Sequence, residues 1–177
     1  MQYITTCSSP IGSILLAADE FGLTGLWFEG EKFYALSLNP MHEEKETPVL
    51  SEVKGWLDIY FTGCKPDFIP PLHMIGTAFQ MEVWKILRQI PYGETTTYGE
   101  IAKKIAQNRN LPRMSAQAVG GAVGHNKISI IIPCHRVIGT NKSLTGYAGG
   151  IDKKTALLKL EGAFRSDFFV PKHSTAL

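Results

Sequence analysis

The sequence predicts an α+β fold, with short strands first and helices after them. Three observations carry that expectation. The first thirty residues alternate short apolar runs with turn residues. Residues 47–61, and most of the chain after 77, space their apolar residues as helices do. Between these regions CKPDFIPPLHMIG (64–76) holds three prolines, which no regular element tolerates. The expected organisation is one domain over 1–76 and a second over 77–177.

QYITTC, SILLAAD and LTGLWFE, separated by SSPIG and EFG, predict a three-stranded antiparallel meander. Residues 31–46, with Asn39-Pro40 and the run HEEKE, predict a loop flanked by short helix. From Thr47 the residues Val49, Val53, Trp56, Leu57, Tyr60 and Phe61 keep helical spacing until Gly63 ends it. Thr77-x-x-Gln80 is a capping box ahead of a helix that Pro91-Tyr92-Gly93 stops, and Thr97-x-x-Glu100 opens another. Ser115 can cap a short third helix, AQAVGGAVG. ISIII (128–132) predicts a buried strand, GTNKSLTGYAGG a loop, and Asp152 the start of a last helix ending at LEG.

A hydrophobic content of 44% with 19% charged residues fits a globular chain with a substantial core. No run approaches 18 uncharged apolar residues, so no transmembrane helix is expected. MQYITTCSSP lacks a basic region followed by an apolar one, so no signal peptide is expected, and the cytoplasm is the expected location. Cys7, Cys64 and Cys134 are odd in number and far apart, against a disulfide framework. Without C-x-x-C or H-x₃₋₅-H spacing, no metal is expected either. The formal charge of +2 hides an asymmetry: residues 1–76 carry 4 Lys/Arg against 10 Asp/Glu (−6), and residues 77–177 carry 14 against 6 (+8). A basic half points to a polyanion partner.

Two short helices joined by a compact turn in that basic half suggest helix-turn-helix, either as a purely structural pair or as a DNA reader. In the second helix Ala116, Ala118, Gly120, Gly121 and Ala122 leave almost no bulk. Each glycine there costs ~1 kcal/mol relative to alanine. Close packing on another helix, or close approach to a nucleic-acid groove, would offset that cost. ISIIIPCHRVIG (128–139) then delivers Cys134, His135 and Arg136 in succession. Cys134 is either a buried core cysteine or a thiolate activated by its cationic neighbours.

Taken in order, FQMEVWKILRQIPYGETTTYGEIA, AVGGAVGHN, IPCHRV, GYAGG and LLKLEG resemble the 6-O-alkylguanine-DNA alkyltransferases, the methylated-DNA–protein-cysteine methyltransferase family. The match is dense over 77–177 and loose, toward the bacterial type, over 1–76. The resemblance implies an N-terminal ribonuclease-H-like domain of three-stranded antiparallel sheet plus helix. It also implies a C-terminal helical, winged helix-turn-helix-like domain that binds the minor groove of double-stranded DNA carrying alkylated bases. No cofactor and no membrane are implied, and a monomer is expected.

By the same resemblance Cys134 takes the alkyl group from a flipped guanine, with 4-O-alkylthymine as a second candidate substrate, in a single irreversible turnover. Adjacent strand residues would face opposite ways, so a direct Cys134–His135 contact needs a bend at Pro133-Cys134 or a bridging water; the resemblance favours the water, with His135 as the base. Glu161, 27 residues after Cys134, should hold His135, and Asn126 should orient the loop that carries both. Tyr98 should press on the phosphate beside the target and donate to the base, with Val137, Tyr147 and Ala148 around the pocket. Tyr98, Gly99, Arg113, Gln117, Ala118 and Arg136 are the expected DNA contacts, Arg136 being equally readable as half of an internal ion pair. The chain departs from the commoner pattern at Gln117, where many members place the arginine that replaces the flipped base. Gln117 is neutral, and Arg113 lies one turn away only if that segment is helical. The rival functions are a cysteine hydrolase using Cys134, His135 and Glu161, and a helix-turn-helix regulator with a sensor cysteine. The family's non-repairing branch is disfavoured by the presence of Cys134.

Overall fold

In the computed structural model, which describes residues 1–172, the alternating N-terminal runs form strands β1 (Gln2–Ser9), β2 (Gly12–Ala18) and β3 (Leu23–Phe28). β1 and β2 pair antiparallel through a turn in which the Ser9 hydroxyl donates to Gly12 O at 2.6 Å. β2 and β3 pair antiparallel, with a bulge at Ala17/Ala18. A short β4 (His42–Glu44) adds to β1 in parallel, so the sheet has four strands in the order β3-β2-β1-β4, one more than the meander expected. HEEKE is too polar to read as a strand. It pairs because the edge of β1 is open there, and all three residues of β4 are exposed.

Helix α1 (Pro48–Phe61) starts where Thr47 accepts from Leu50 N and ends before Gly63, which sits at φ +84. Its buried stripe is Leu50, Val53, Trp56, Leu57 and Tyr60. Each such side chain contributes ~1.5–3 kcal/mol on full burial, and α1 packs on β1, β2 and β3. Ile4, Ala35 and Leu38 pack against Leu15, Ala17 and Trp27, so β2 is covered on both sides from Ile14 onward and reads as a continuous apolar run. The outer edge of β3 is closed by non-strand segments. Leu23 exchanges bonds with Pro71 O and His73 N, and Leu26 with Lys127 O and Ser129 N. Residues 1–75 together with 127–131 make up this first unit.

Among the described residues the second unit holds 76–126 and 132–172. It contains α2 (Ala78–Leu87), β5 (Thr96–Thr97), α3 (Tyr98–Asn108), α4 (Ala116–Gly124), β6 (Val137–Ile138) and α5 (Ile151–Leu160). Both expected capping boxes are present, Thr77 with Gln80 and Thr97 with Glu100, and Ser115 accepts from Ala118 N. α2, α3 and α4 pack on one another, and the Trp84 indole of α2 donates to Ala122 O of α4 at 2.9 Å. β5 and β6 pair in parallel over two residues each. A second cluster, Ile138, Leu144, Leu158 and Ala163, seats α5 beneath the loop that follows β6.

Candidate active site

The strand expected over 128–132 does not form. Only Ile128 makes a bridge, to Leu26. Ile130 lies at φ +68, an uncommon region for a β-branched residue, within a turn closed by Ile131 N on Ser129 O at 2.8 Å. The expected burial of ISIII is real, since Ile128, Ser129, Ile130 and Ile132 are all buried. A strand advances ~3.3 Å per residue, however, and the Asn126 amide donates to Ile132 O at 2.8 Å. The segment must loop back within six residues, and turns replace extended backbone.

Pro133, at φ −80 and ψ 64 with Cys134 N donating to Ile132 O, makes an inverse γ-turn. Cys134–Arg136 then form a single 3₁₀ turn. The rule that neighbouring side chains face opposite ways therefore does not apply to Cys134 and His135. The Asn126 amide also donates to Cys134 Sγ at 3.2 Å, so one side chain both closes the loop and places a donor on the sulfur.

His135 Nε2 lies 2.7 Å from Glu161 Oε1. Glu161, at the C-terminal end of α5, also accepts from Arg136 Nε at 2.8 Å, Arg136 Nη2 at 3.0 Å and Gly93 N at 3.3 Å. Arg136 Nη1 donates to Ile90 O at 2.7 Å. Arg136 is buried, and its Nε, Nη1 and Nη2 all bond within the protein. It is therefore an internal ion-pair partner and not the DNA contact expected, because the unbalanced Glu161 carboxylate draws it inward.

Burial holds the His135 imidazole below its ordinary value, against the opposing pull of Glu161. Burial alone would raise the Glu161 carboxyl, but the His135 hydrogen bond and the Arg136 guanidinium outweigh it and hold the group well below the usual carboxylate range. The arrangement is a neutral imidazole that donates from Nε2 to a carboxylate and keeps a basic lone pair on Nδ1. Such a pair can accept a thiol proton and stabilise the resulting imidazolium.

Tyr98, at the start of α3, donates its hydroxyl to Thr145 O at 3.0 Å, and Gly146 O lies at 3.4 Å. Burial pushes its phenol well above the ordinary range, so it remains a donor. Gly146, at φ +70, permits this contact: a Cβ there would stand 2.7 Å from the Tyr98 oxygen. Tyr147 is buried with its ring edge-on to His135, centroids 6.4 Å apart. Val137 is buried in β6, and Ala148 is half-buried in the turn before α5.

Sequence reasoning missed Lys154, which is fully buried on α5. Its signal was available: Lys154 stands three residues after Ile151 and three before Leu157, inside the apolar stripe of the helix. Among the described residues, no three His, Cys, Asp or Glu come together as metal ligands.

Gln117 and Ala118 are exposed on the first turn of α4, and Gly99 is half-buried on α3. Arg113 is exposed in the loop between the helices and lines a groove of about 390 Å³ with Lys103, Gln107, Met114 and Ala116. That loop is not helical, so Arg113 is not one helical turn from Gln117. A Cβ at Gly121 or Gly124 would meet nothing within 4 Å. Helix packing therefore does not demand glycine at either of these two positions.

Residues 78–163 match the 6-O-methylguanine DNA methyltransferase, DNA binding domain family, and residues 2–74 match its ribonuclease-like domain family. A methylated-DNA–protein-cysteine methyltransferase of Haemophilus influenzae is 45% identical over 161 residues, 90% of this chain and 86% of that one. One from Methanosarcina mazei is 50% identical over 160 residues, 90% and 97% of the two chains. The crystal structure of Mycobacterium tuberculosis OGT in complex with DNA superposes with a TM-score of 0.78 at 42% identity, covering 93% of this chain and 96% of that one.

Proposed function

The chain belongs to the methylated-DNA–protein-cysteine methyltransferase family, and we propose that it repairs 6-O-alkylguanine in double-stranded DNA by moving the alkyl group onto its own Cys134. The observation that carries the assignment is the Asn126–Cys134 and His135–Glu161–Arg136 arrangement at the end of the IPCHRV segment. The thiol proton passes through a bridging water to Nδ1 of His135, and Glu161 stabilises the imidazolium. The thiolate then attacks the alkyl carbon in line. The new S–C bond forms as the C–O bond breaks, and its electron pair stays on the guanine oxygen. A donor at the departing base offsets that charge, and the Tyr98 hydroxyl fills this role once it leaves Thr145. Because the product is a thioether, nothing in the site returns Cys134 to a thiol, and each molecule acts once.

A base can reach Cys134 only out of the stack. The exposed first turn of α4 enters the minor groove, Gln117 occupies the space of the flipped base, and the Arg113 groove meets phosphate. Tyr147, Ala148 and Val137 wall the pocket. The reducing cytoplasm is the proposed place of action, since a single-use thiol is lost wherever disulfides form. The Haemophilus influenzae and Methanosarcina mazei relatives are both named as methyltransferases, which favours this reading over the hydrolase and regulator alternatives.

Mass spectrometry after incubation with duplex DNA carrying 6-O-methylguanine tests this directly. One added methyl on Cys134, absent in Cys134→Ser, is the expected result. Transfer that persists in Cys134→Ser, or methyl found on Cys7 or Cys64, refutes it.

A further inference from the structure

The match to the DNA-binding domain family ends at residue 163, and the mechanism above uses nothing beyond Glu161. The chain nevertheless continues and turns back toward the site. Gly162, at φ +69, reverses it after α5, and Phe168 N donates to Arg165 O at 3.1 Å in a second turn. Phe169 then bridges Ser143 in parallel. Leu144 N donates to Phe169 O at 2.8 Å, and Phe169 N donates to Lys142 O at 3.4 Å. Lys142 also pairs with Asp167. Phe164 and Phe168, edge to face with centroids 5.8 Å apart, pack on Ile138, Leu144, Leu158 and Ala163.

The loop gripped in this way is the one that builds the pocket. GTNKSLTGYAGG (139–150) holds four glycines in twelve residues, a composition that leaves a free loop many conformations. Leu144 is buried and directly precedes Thr145, whose carbonyl holds the Tyr98 hydroxyl. Tyr147 and Ala148 follow in the same loop. The Phe169 ring is exposed, so its backbone makes the grip while Phe168 supplies the apolar anchor. Covering the cluster needs only the two rings; the backbone pairing and the ion pair fix the position of the loop as well.

We propose that residues 164–169 clamp the pocket loop and so position the flipped base, with Phe168 as the positioning residue. This inference rests on Cys134 being the acceptor. The clamp acts on the pocket wall and not on the thiol. Its contacts run to Lys142 and Leu144, whereas Asn126, His135 and Glu161 set the surroundings of Cys134. A loosened loop lowers the fraction of molecules with a formed pocket, and the apparent affinity for the base falls by that fraction.

The test uses full-length Phe168→Ala, Phe168→Leu and Asp167→Lys, the last placing like charges together, and Asp167→Lys combined with Lys142→Glu, which restores the pair. Cys7 and Cys64 are replaced by alanine in every protein, so that one thiol reports, and folding is verified by circular dichroism. Single-turnover transfer from free 6-O-benzylguanine is followed over a range of concentrations, which separates half-saturation from limiting rate and keeps charge changes from acting through DNA. Iodoacetamide alkylation of Cys134 and hydrogen exchange across 139–150 are measured in parallel. Phe168→Ala is expected to raise the half-saturating concentration about three- to tenfold and to speed exchange at Leu144. Its limiting rate and iodoacetamide rate should stay near wild type, and Phe168→Leu should recover most of the affinity. Asp167→Lys should weaken the base about twofold, the scale of a surface pair, and the charge swap should reverse it. A folded Phe168→Ala with wild-type half-saturation, or with wild-type exchange at Leu144, overturns the inference. So does an equal loss in the iodoacetamide reaction, which marks general disruption of the site. Asp167→Lys and its charge swap decide if Phe168→Ala does not fold. Absence of benzyl on wild-type Cys134 would sink the repair function, while exchange at Leu144 would still judge the clamp.

Discussion

Glu161→Gln changes one oxygen to an amide nitrogen and leaves volume nearly untouched, yet it strikes the site at its most connected atom pair. The wild-type carboxylate accepts four hydrogen bonds, two of them from Arg136. Glutamine offers one oxygen, so its NH₂ must face either the His135 and Arg136 Nη2 donors or the Arg136 Nε and Gly93 donors. The Arg136 guanidinium is then left without its counter-charge. The Glu161 side chain is 0% exposed and that of Arg136 only 10%, so solvent screens little of the loss. Removing one partner of such a pair costs about 3–5 kcal/mol. At roughly 2–4 °C per kcal/mol for a chain of this size, the melting temperature should fall by about 6–20 °C.

The same change should flatten the acid limb of the stability curve. The folded Glu161 pKa lies below the ordinary 4.5, so below that value the unfolded chain binds the extra proton. The stabilisation is fully present above pH 4.5 and drains away as pH falls toward the folded value, a slope that glutamine cannot have. Methyl transfer should slow by about ten- to ten-thousand-fold as His135 loses its orienting acceptor. Adding Arg136→Met removes the orphaned charge, so the double variant should melt above Glu161→Gln alone. Melts across the acid range and single-turnover transfer on folded protein check each point. A Glu161→Gln protein that loses less than about 1 kcal/mol and transfers methyl within twofold of wild type would refute the reasoning.

Gln117→Ala should slow repair in duplex DNA while sparing reaction with free 6-O-benzylguanine, which needs no flipping. Gln117→Arg should tighten duplex binding, more so at low salt. Repair of duplex lesions by Gln117→Ala at the wild-type rate would move the finger role to another residue. DNA affinity should fall steeply with salt and depend little on sequence, because phosphate contacts carry no base information. Titrations of two unrelated duplexes at several salt concentrations check this, and a salt-insensitive affinity would count against it.

What could be read from the sequence is what residues within a turn of one another decide. Thr77 with Gln80, Thr97 with Glu100 and the lone cap Ser115 mark three helix starts because a side-chain oxygen answers a backbone N–H three residues on. The succession of short apolar runs and turn residues that writes β1, β2 and β3 is equally local. IPCHRV and LLKLEG identified Cys134, His135 and Glu161 through resemblance. Tertiary structure decided where local signals are silent or misleading. ISIII carries the apolar run of a buried strand, but the bond from Asn126, a residue before the run, to Ile132 O bends it into turns. Arg136 reads equally as a DNA contact or as half of an internal ion pair until Glu161, 25 residues away, pairs with it inside. Lys154 interrupts an apolar stripe, and only the carbonyls of Val137 and Thr145, supplied by other segments, make its burial tolerable. A buried charge is stable only where distant backbone and counter-charges converge on it, and that convergence is a property of the folded chain.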